Sequence, residues 1–146
     1  MYWNFSEIME FFADKRKSKL LLKGNFGLEL ESQRITPAGD LALTPHPSVF
    51  GDKSKNGRIT TDFAESQIEM ITPPIASLRD AYQYLQEVRF EVECGIQEEL
   101  LWPLSMPPRL PGEEHIPIAK FPGSAIGREK EIYRRGLALR YGKKMQ

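Results

Sequence analysis

Carboxylates threaded through apolar residues restrict this chain more tightly than any other feature. From Ile59 to Pro74 it reads Ile-Thr-Thr-Asp-Phe-Ala-Glu-Ser-Gln-Ile-Glu-Met-Ile-Thr-Pro-Pro, which places Asp62, Glu65 and Glu69 among Phe63, Ile68, Met70 and Ile71. The apolar residues require a core, and a carboxylate does not enter one uncompensated. It must stand at a rim, pair with a base, or hold a metal. Asp62 and Glu69 are seven positions apart, which on an unbroken strand puts them on opposite faces. For both to face one site, Asp62 must lie in a bend or bulge, with Glu65 at or near it, ahead of a strand that begins near Ser66. Thr72-Pro73-Pro74 ends that strand, because proline cannot donate to a ladder.

A second acidic pair lies upstream. From Leu20 to Ile35 the pattern has a period of two, with Phe26, Leu28 and Leu30 alternating with Gly27, Glu29 and Glu31. Residues i and i+2 of a strand lie roughly 6.5–7 Å apart on one face, a spacing that lets two carboxylates share or flank divalent ions. Taken alone, the stretch is better read as a half-buried strand with an exposed polar face. Pro37-Ala38-Gly39-Asp40 signals a turn, and Leu41-Ala42-Leu43 is expected to return antiparallel as a hairpin. His46, between Pro45 and Pro47, is read as structural or exposed, and the polar Gly51–Gly57 segment as a surface loop.

Ser6 is the expected N-cap of a short helix through Phe12 with a stripe of Ile8, Phe11 and Phe12, and the basic run Lys15–Lys19 is read as a solvated connector. Ser77 is expected to cap a packing helix whose face carries Leu78, Ala81, Tyr82, Leu85, Val88 and Val92, with Gly95 as its stop. Cys94, near its end, is read as a small core residue rather than a nucleophile, because no activating partner is visible. Leu100–Pro122 is dense in proline yet rich in Trp, Leu, Met and Ile, which predicts a packed wrap rather than a solvated linker. From about Arg128 a basic helix follows, with Gly142 as its cap and Lys143 and Lys144 beyond it.

At 146 residues the chain is one domain at most, and its 40% hydrophobic and 27% charged content is that of an ordinary globular protein. Lys+Arg and Asp+Glu both total 20, so no nucleic-acid partner is implied, and no apolar run reaches membrane-spanning length. Glu7, Glu10 and Asp14 interrupt any secretory leader, and one cysteine with two histidines shows no zinc spacing, so a reducing cytoplasm is expected. Gly123-Ser-Ala-Ile-Gly127-Arg128 only loosely imitates a phosphate loop. Hard oxygen ligands in these numbers favour magnesium or manganese over zinc, and clustered carboxylates repel one another unless a cation neutralises them. The residues alone therefore lead to a divalent-metal site for phosphoryl chemistry, and the basic helix, read by itself, to a solvated charged face.

Ordered blocks carry a more specific signal. Gly27-Leu-Glu-Leu-Glu-Ser32, Leu43-Thr-Pro-His-Pro47, Ile59-Thr-Thr-Asp-Phe-Ala-Glu-Ser66 and Glu69-Met-Ile-Thr-Pro73 are followed by Leu101-Trp-Pro-Leu-Ser-Met-Pro107, Ile132-Tyr-Arg-Arg-Gly-Leu137 and Arg140-Tyr-Gly142. Together they resemble the N-terminal part of bacterial glutamate–cysteine ligase (gamma-glutamylcysteine synthetase), over nearly the whole chain from about Leu22. The Gly51-Asp-Lys-Ser-Lys-Asn56 stretch leans toward the form found in bifunctional glutathione-synthesis enzymes.

The resemblance implies an α+β chain: a partial antiparallel sheet with helices packed on one face, belonging to a larger glutamine-synthetase-like ligase fold. It implies an enzyme that uses ATP and Mg2+ (or Mn2+) to join the glutamate γ-carboxylate to the cysteine amine through an acyl phosphate. The family's metal-binding carboxylates match Glu29, Glu31, Asp62 and Glu69. Positions lining its cysteine pocket match Phe63, Tyr133, Leu137 and Gln146, and basic positions near phosphates match Arg128 and Lys130. Two departures stand out. The family's Tyr-Gly-x-Ser-Asn-x-Gly pattern is here Phe121-Pro-Gly-Ser-Ala-Ile-Gly127, and family members are several hundred residues long. Residues 1–146 are thus expected to be a single incomplete domain, inactive alone and prone to self-association through uncovered sheet edge and apolar surface. The competing expectation is a non-enzymatic binding or assembly module derived from the ligase.

Overall fold

The acidic alternation becomes a regular strand only from Glu29, where β1 (Glu29–Ile35) begins; Lys19–Leu22 upstream is a short 3-10 turn. The computed structural model describes residues 3–121, 123 and 125–144. β1 pairs antiparallel with β3 (Gln67–Ile71) on one side and with β4 (Leu100–Leu101) on the other. β3 in turn pairs antiparallel with β2 (Ile59–Thr60), giving a four-stranded sheet in the order β2-β3-β1-β4. The register sets Leu30 against Met70 and Ser32 against Ile68 on one face. On the other it sets Glu29 against Ile71, Glu31 against Glu69 and Gln33 against Gln67. Before Glu29 the pairing is irregular, because Pro73 and Pro74 bring no N–H. There Leu28 donates to the Thr72 hydroxyl at 2.9 Å, and Phe26 bridges Ile75.

The apolar face is sealed by α3 (Leu78–Gly95), capped as expected by Ser77, whose hydroxyl accepts from Asp80 N–H. Ala81, Leu85, Val88 and Val92 are buried, the last three in a core with Phe50, Ile59, Ile68 and Met70. Leu78 and Tyr82 flank that stripe and remain exposed. Cys94 is exposed rather than a core residue. It follows buried Val92 by two positions, which is about 200° around a helix. The hairpin expected after Pro37 shrinks to a single bridge between Ile35 and Leu41, turning at Gly39 with φ 83°. Thr36 and Ala42 close that bridge by donating to Asp40 and Arg34, and Leu41 gives its outward N–H to Arg109 of the proline-dense wrap.

At the N-terminus α1 (Phe5–Ala13) and α2 (Lys15–Ser18) bury none of their residues. Asn4, not Ser6, caps α1. Glu7 is the third residue of a helix starting at Phe5, and Asn4 and Glu7 each accept the other's backbone N–H. α4 (Ala125–Tyr141) starts a few residues earlier than expected and ends at Gly142, whose φ of 81° and N–H to Ala138 make the cap. Its Leu137 and Ala138 pack on a second apolar cluster of Leu41, Phe63, Ala64 and Ile116. Among the described residues no helix is long and apolar enough to cross a membrane.

Arg34, 1% exposed, ties the outer segments to β1. Its Nη2 donates to the carbonyls of Thr44 (2.8 Å), Pro45 (3.0 Å) and Glu65 (2.8 Å), and Nη1 to the Thr44 hydroxyl (2.7 Å) and the Glu99 carboxylate. The segment it holds carries His46, a structural residue as expected, buried edge-on against Phe50 with no hydrogen-bond partner on either ring nitrogen. Burial, then the charges of Lys53 and Arg34, lower its pKa from 6.5 to about 4, against an opposing pull from Glu65. The folded state therefore holds His46 neutral while the unfolded chain protonates it near its ordinary value. Stability is undiminished above pH 6.5, falls as pH drops from 6.5 to about 4, and levels off below. The fall is on the order of 3 kcal/mol at most. Urea midpoints taken across this window should decline for the parent chain and flatten in His46→Leu; an equally steep slope in the variant refutes the assignment.

Candidate functional site

The uncovered sheet face is acidic because of register. Glu31 stands directly across from Glu69, with Glu29 two positions along on the same face. β3 is preceded by the bend that the spacing required. The Thr61 hydroxyl donates to the Ala64 carbonyl at 2.6 Å, and Gln67 N–H donates to the same carbonyl at 3.1 Å. This bend swings Asp62 round to the side on which Glu69 lies. Burial and then the charges of Glu31, Asp62 and Glu29 raise the pKa of Glu69, with Lys130 opposing them. The other three sequence-selected carboxylates therefore all act on Glu69.

Glu65 is a different kind of carboxylate. It is buried and saturated: Oε2 accepts from Lys53 Nζ at 2.6 Å and His46 N–H at 3.0 Å, and Oε1 from Lys120 N–H at 2.9 Å. Burial alone would raise its pKa, but these bonds outweigh burial and leave it below the ordinary carboxylate range. Of the routes open to a carboxylate in apolar company, Glu65 takes pairing with a base.

Cations border the acidic face on its α4 side. Arg134 is 1% exposed and donates from Nη2 to Asp62 Oδ1 at 2.7 Å. Its Nε and Nη1 have no hydrogen-bond partner among the described residues. Burial lowers its pKa, and the neighbouring Asp62, Glu69 and Glu65 counter that effect. Lys53 Nζ, Lys130 Nζ and the Arg134 guanidinium all lie over the buried Phe121 ring, at 5.2, 5.2 and 4.8 Å from its centre. Of the pocket-lining positions, Phe63 and Leu137 meet in the second apolar cluster. Tyr133 is exposed on α4, and Gln146 lies outside the described residues. Arg128 lines a separate cavity with Phe121, Glu129 and Ile132.

The donor set is all carboxylate oxygen, which suits a hard divalent cation, and the raised Glu69 pKa marks a surplus of negative charge that a cation would relieve. The cage is not ready-made. Among the described residues no three Asp, Glu, His or Cys side chains are gathered tightly enough to hold a metal as they stand. Glu31 Oε2 is engaged by Gln67 Nε2 at 2.7 Å, and Asp62 by Arg134. Sequence reasoning did not select Arg134, Lys53 or Gln67. Arg134 sits in a basic run where five similar cations read as a solvated face, and Lys53 in a loop that read as surface. Nothing local announces their partners.

A helix-sealed antiparallel sheet that presents carboxylates on its open face, bordered by the buried Arg134, makes this an α+β chain. The chain belongs to the glutamate–cysteine ligase family, whose family model matches residues 9–146. It is 62% identical over 146 residues to a glutamate–cysteine ligase of Clostridium acetobutylicum, covering all of this chain and 30% of that protein. To a glutathione biosynthesis bifunctional protein of Clostridium perfringens it is 46% identical over 141 residues, covering 95% of this chain and 18% of the relative. A glutamate–cysteine ligase structure from Francisella tularensis in complex with AMP superimposes with a TM-score of 0.78 at 36% identity, covering 83% of this chain and 24% of that one. A bifunctional glutathione synthetase structure from Pasteurella multocida also gives a TM-score of 0.78, at 40% identity, covering 92% and 17%. The chain thus spans under a third of the length of these curated relatives.

Glu69 costs the uncharged site stability, since its raised pKa means that the fold disfavours the ionised form at neutral pH. Glu69→Gln should raise the urea midpoint of the metal-free chain at pH 7 and, because protonation of Glu69 opposes the loss caused by His46 as pH falls, steepen the decline between pH 7 and pH 5. A lowered midpoint would show that the carboxylate is not under strain from its neighbours.

Proposed function

We propose that this chain supplies the cation-binding carboxylates and part of the cysteine pocket of an ATP-dependent ligase that makes the glutamate–cysteine bond of glutathione synthesis. The observation that carries this reading is the register that sets Glu31 against Glu69 with Glu29 on the same face and Asp62 close enough to act on Glu69, beside a buried arginine with donors unpartnered among the described residues. In such a reaction a γ-carboxylate oxygen of glutamate attacks the terminal phosphorus of ATP and releases ADP. The cysteine amine then attacks the acyl carbon, phosphate departs, and the amine loses a proton.

Within this scheme Glu29, Glu31, Asp62 and Glu69 would hold Mg2+ or Mn2+. When bound, the ion supplies charge neutralisation between the carboxylate and the phosphates. Arg134 offers Nε and Nη1 to an anionic oxygen and steadies charge as it develops. Its place in the low-dielectric interior strengthens that contact relative to one made in water. Lys130, lying over Phe121 and drawn electrostatically to Glu69, adds a second positive group near the same face, and Arg128 lies two residues nearer the start of α4. Phe63 and Leu137 form an apolar wall suited to a small thiol side chain, and Tyr133 and Gln146 would complete it.

Residues 1–146 are inactive alone in this proposal, because the groups here bind but do not enclose a nucleotide. A cytoplasmic setting fits the free, exposed Cys94 thiol. Exchanging this chain for the matching 30% of the Clostridium acetobutylicum relative should give an active ligase. In that chimera Glu31→Gln and Glu69→Gln should each lower kcat by about 100-fold or more. An inactive but folded chimera, or one indifferent to both substitutions, refutes the reading.

The isolated chain should also self-associate, since Ile132 and Leu139 are exposed on α4 at 66% and 90%, and β2 is a free sheet edge. Light scattering should show mass rising with concentration; a monomer throughout would count against it.

A further inference from the structure

Gln67 joins two parts of the proposed site that no strand pairing connects. Its Nε2 donates to Glu31 Oε2 at 2.7 Å, and its Oε1 accepts from the backbone N–H of Phe63 at 2.8 Å. The side chain is buried. One end thus holds a carboxylate of β1, and the other holds the bend that carries Asp62 and the pocket residue Phe63. Which end of the amide is which follows from the partners. A carboxylate can take only a donor and a backbone N–H only an acceptor, so the orientation has one solution.

No other side chain of similar size does both tasks. Glu at this position keeps the acceptor for Phe63 but sets a like charge against Glu31. Met fills the volume and makes neither bond. Asn offers both groups one methylene short of the span.

We infer that Gln67 is a positioning residue for the proposed reaction: it fixes the direction of the Glu31 carboxylate relative to the Asp62–Phe63 bend. This rests on the reading given under the proposed function. Gln67 engages one oxygen of Glu31, and the carboxylate keeps lone pairs on the other for a cation. Groups of this kind, which orient a metal-binding side chain without touching the ion, typically alter affinity by about 10–100-fold when removed. A cavity lined by Glu31, Gln33, Gln67, Trp102, Met106 and Leu110 adjoins this bond, so a truncated side chain leaves room for Glu31 to turn away from the other carboxylates.

The experiment is calorimetric titration of Mn2+ alone into the parent chain and into Glu31→Gln, Gln67→Met and Gln67→Asn, each confirmed folded by circular dichroism. Amide hydrogen exchange at Phe63 is followed by NMR in the metal-free samples. The expected result is Mn2+ binding by the parent chain, loss of binding in Glu31→Gln, binding about tenfold weaker in both Gln67 variants, and faster exchange at Phe63 in Gln67→Met. Parent-like affinity in the folded Gln67 variants, with binding still lost in Glu31→Gln, overturns the role of Gln67 alone. Parent and Glu31→Gln chains that both fail to bind, or bind alike, overturn the proposed site and this role with it. Gln67→Asn serves where Gln67→Met does not fold, since it keeps the polar chemistry and changes only the reach.

Discussion

A buried guanidinium holds this fold to its shape. Arg34 projects from the end of β1, takes three backbone carbonyls with one nitrogen, and pairs through the other with Thr44 and Glu99. The segments so joined are the Thr44–Pro45 turn, the bend at Glu65 and the Glu99 end of the chain leaving α3, just before β4. A charge withdrawn from water is tolerated only when its hydrogen bonds are replaced, and here both terminal nitrogens are served while Nε has no partner among the described residues. The bond to the Glu65 carbonyl matters most for the site. It pins the bend from which Asp62 and Phe63 project, while the Glu65 side chain pins the same bend to Lys53, His46 and Lys120.

With the bend secured, the sheet can afford an arrangement that destabilises it. Like charges directly across an antiparallel pair repel, and Glu31 faces Glu69 in this way. Burial and three neighbouring carboxylates burden Glu69 further. A face selected for stability alone would not place them so, and conflict between a local rule and the fold is typical of sites kept for binding. The opposing face shows no such conflict: Leu30, Ile68 and Met70 meet the stripe of α3 as period and register demand.

Much of this was legible from residues. The bend before β3 followed from Asp62 and Glu69 being an odd number of positions apart. Ser77 and Gly142 marked helix ends through the local hydrogen bonds and backbone angles that they favour. The apolar content of Leu100–Pro122 foretold a packed wrap, and the outcome is mixed: Ile116, Ala119 and Phe121 are buried and Trp102 binds back to β1 through Gln33 and Ser32, but Leu100, Leu104 and Met106 stay exposed. Readings that depended on distant partners fared worse. Cys94 was expected inside because no activating partner was visible near it, and its angle on α3 turned it outward. The Leu41 strand shrank to one bridge to Ile35, held by Thr36 and Ala42, while the outward N–H of Leu41 found Arg109 in the distant wrap.

The sequence alone established an acidic alternation, a bend, two capped helices and a set of family motifs, because each depends on spacing within a few residues and on the chemistry of single side chains. Tertiary structure alone decided that Glu31 meets Glu69, that Glu65 pairs with Lys53, that Arg134 is the cation turned inward, and that Gln67 bridges two segments. Those outcomes depend on which chain segments lie side by side. Strand register and buried hydrogen bonding determine that, and neither leaves a mark at the residues concerned until the chain has folded.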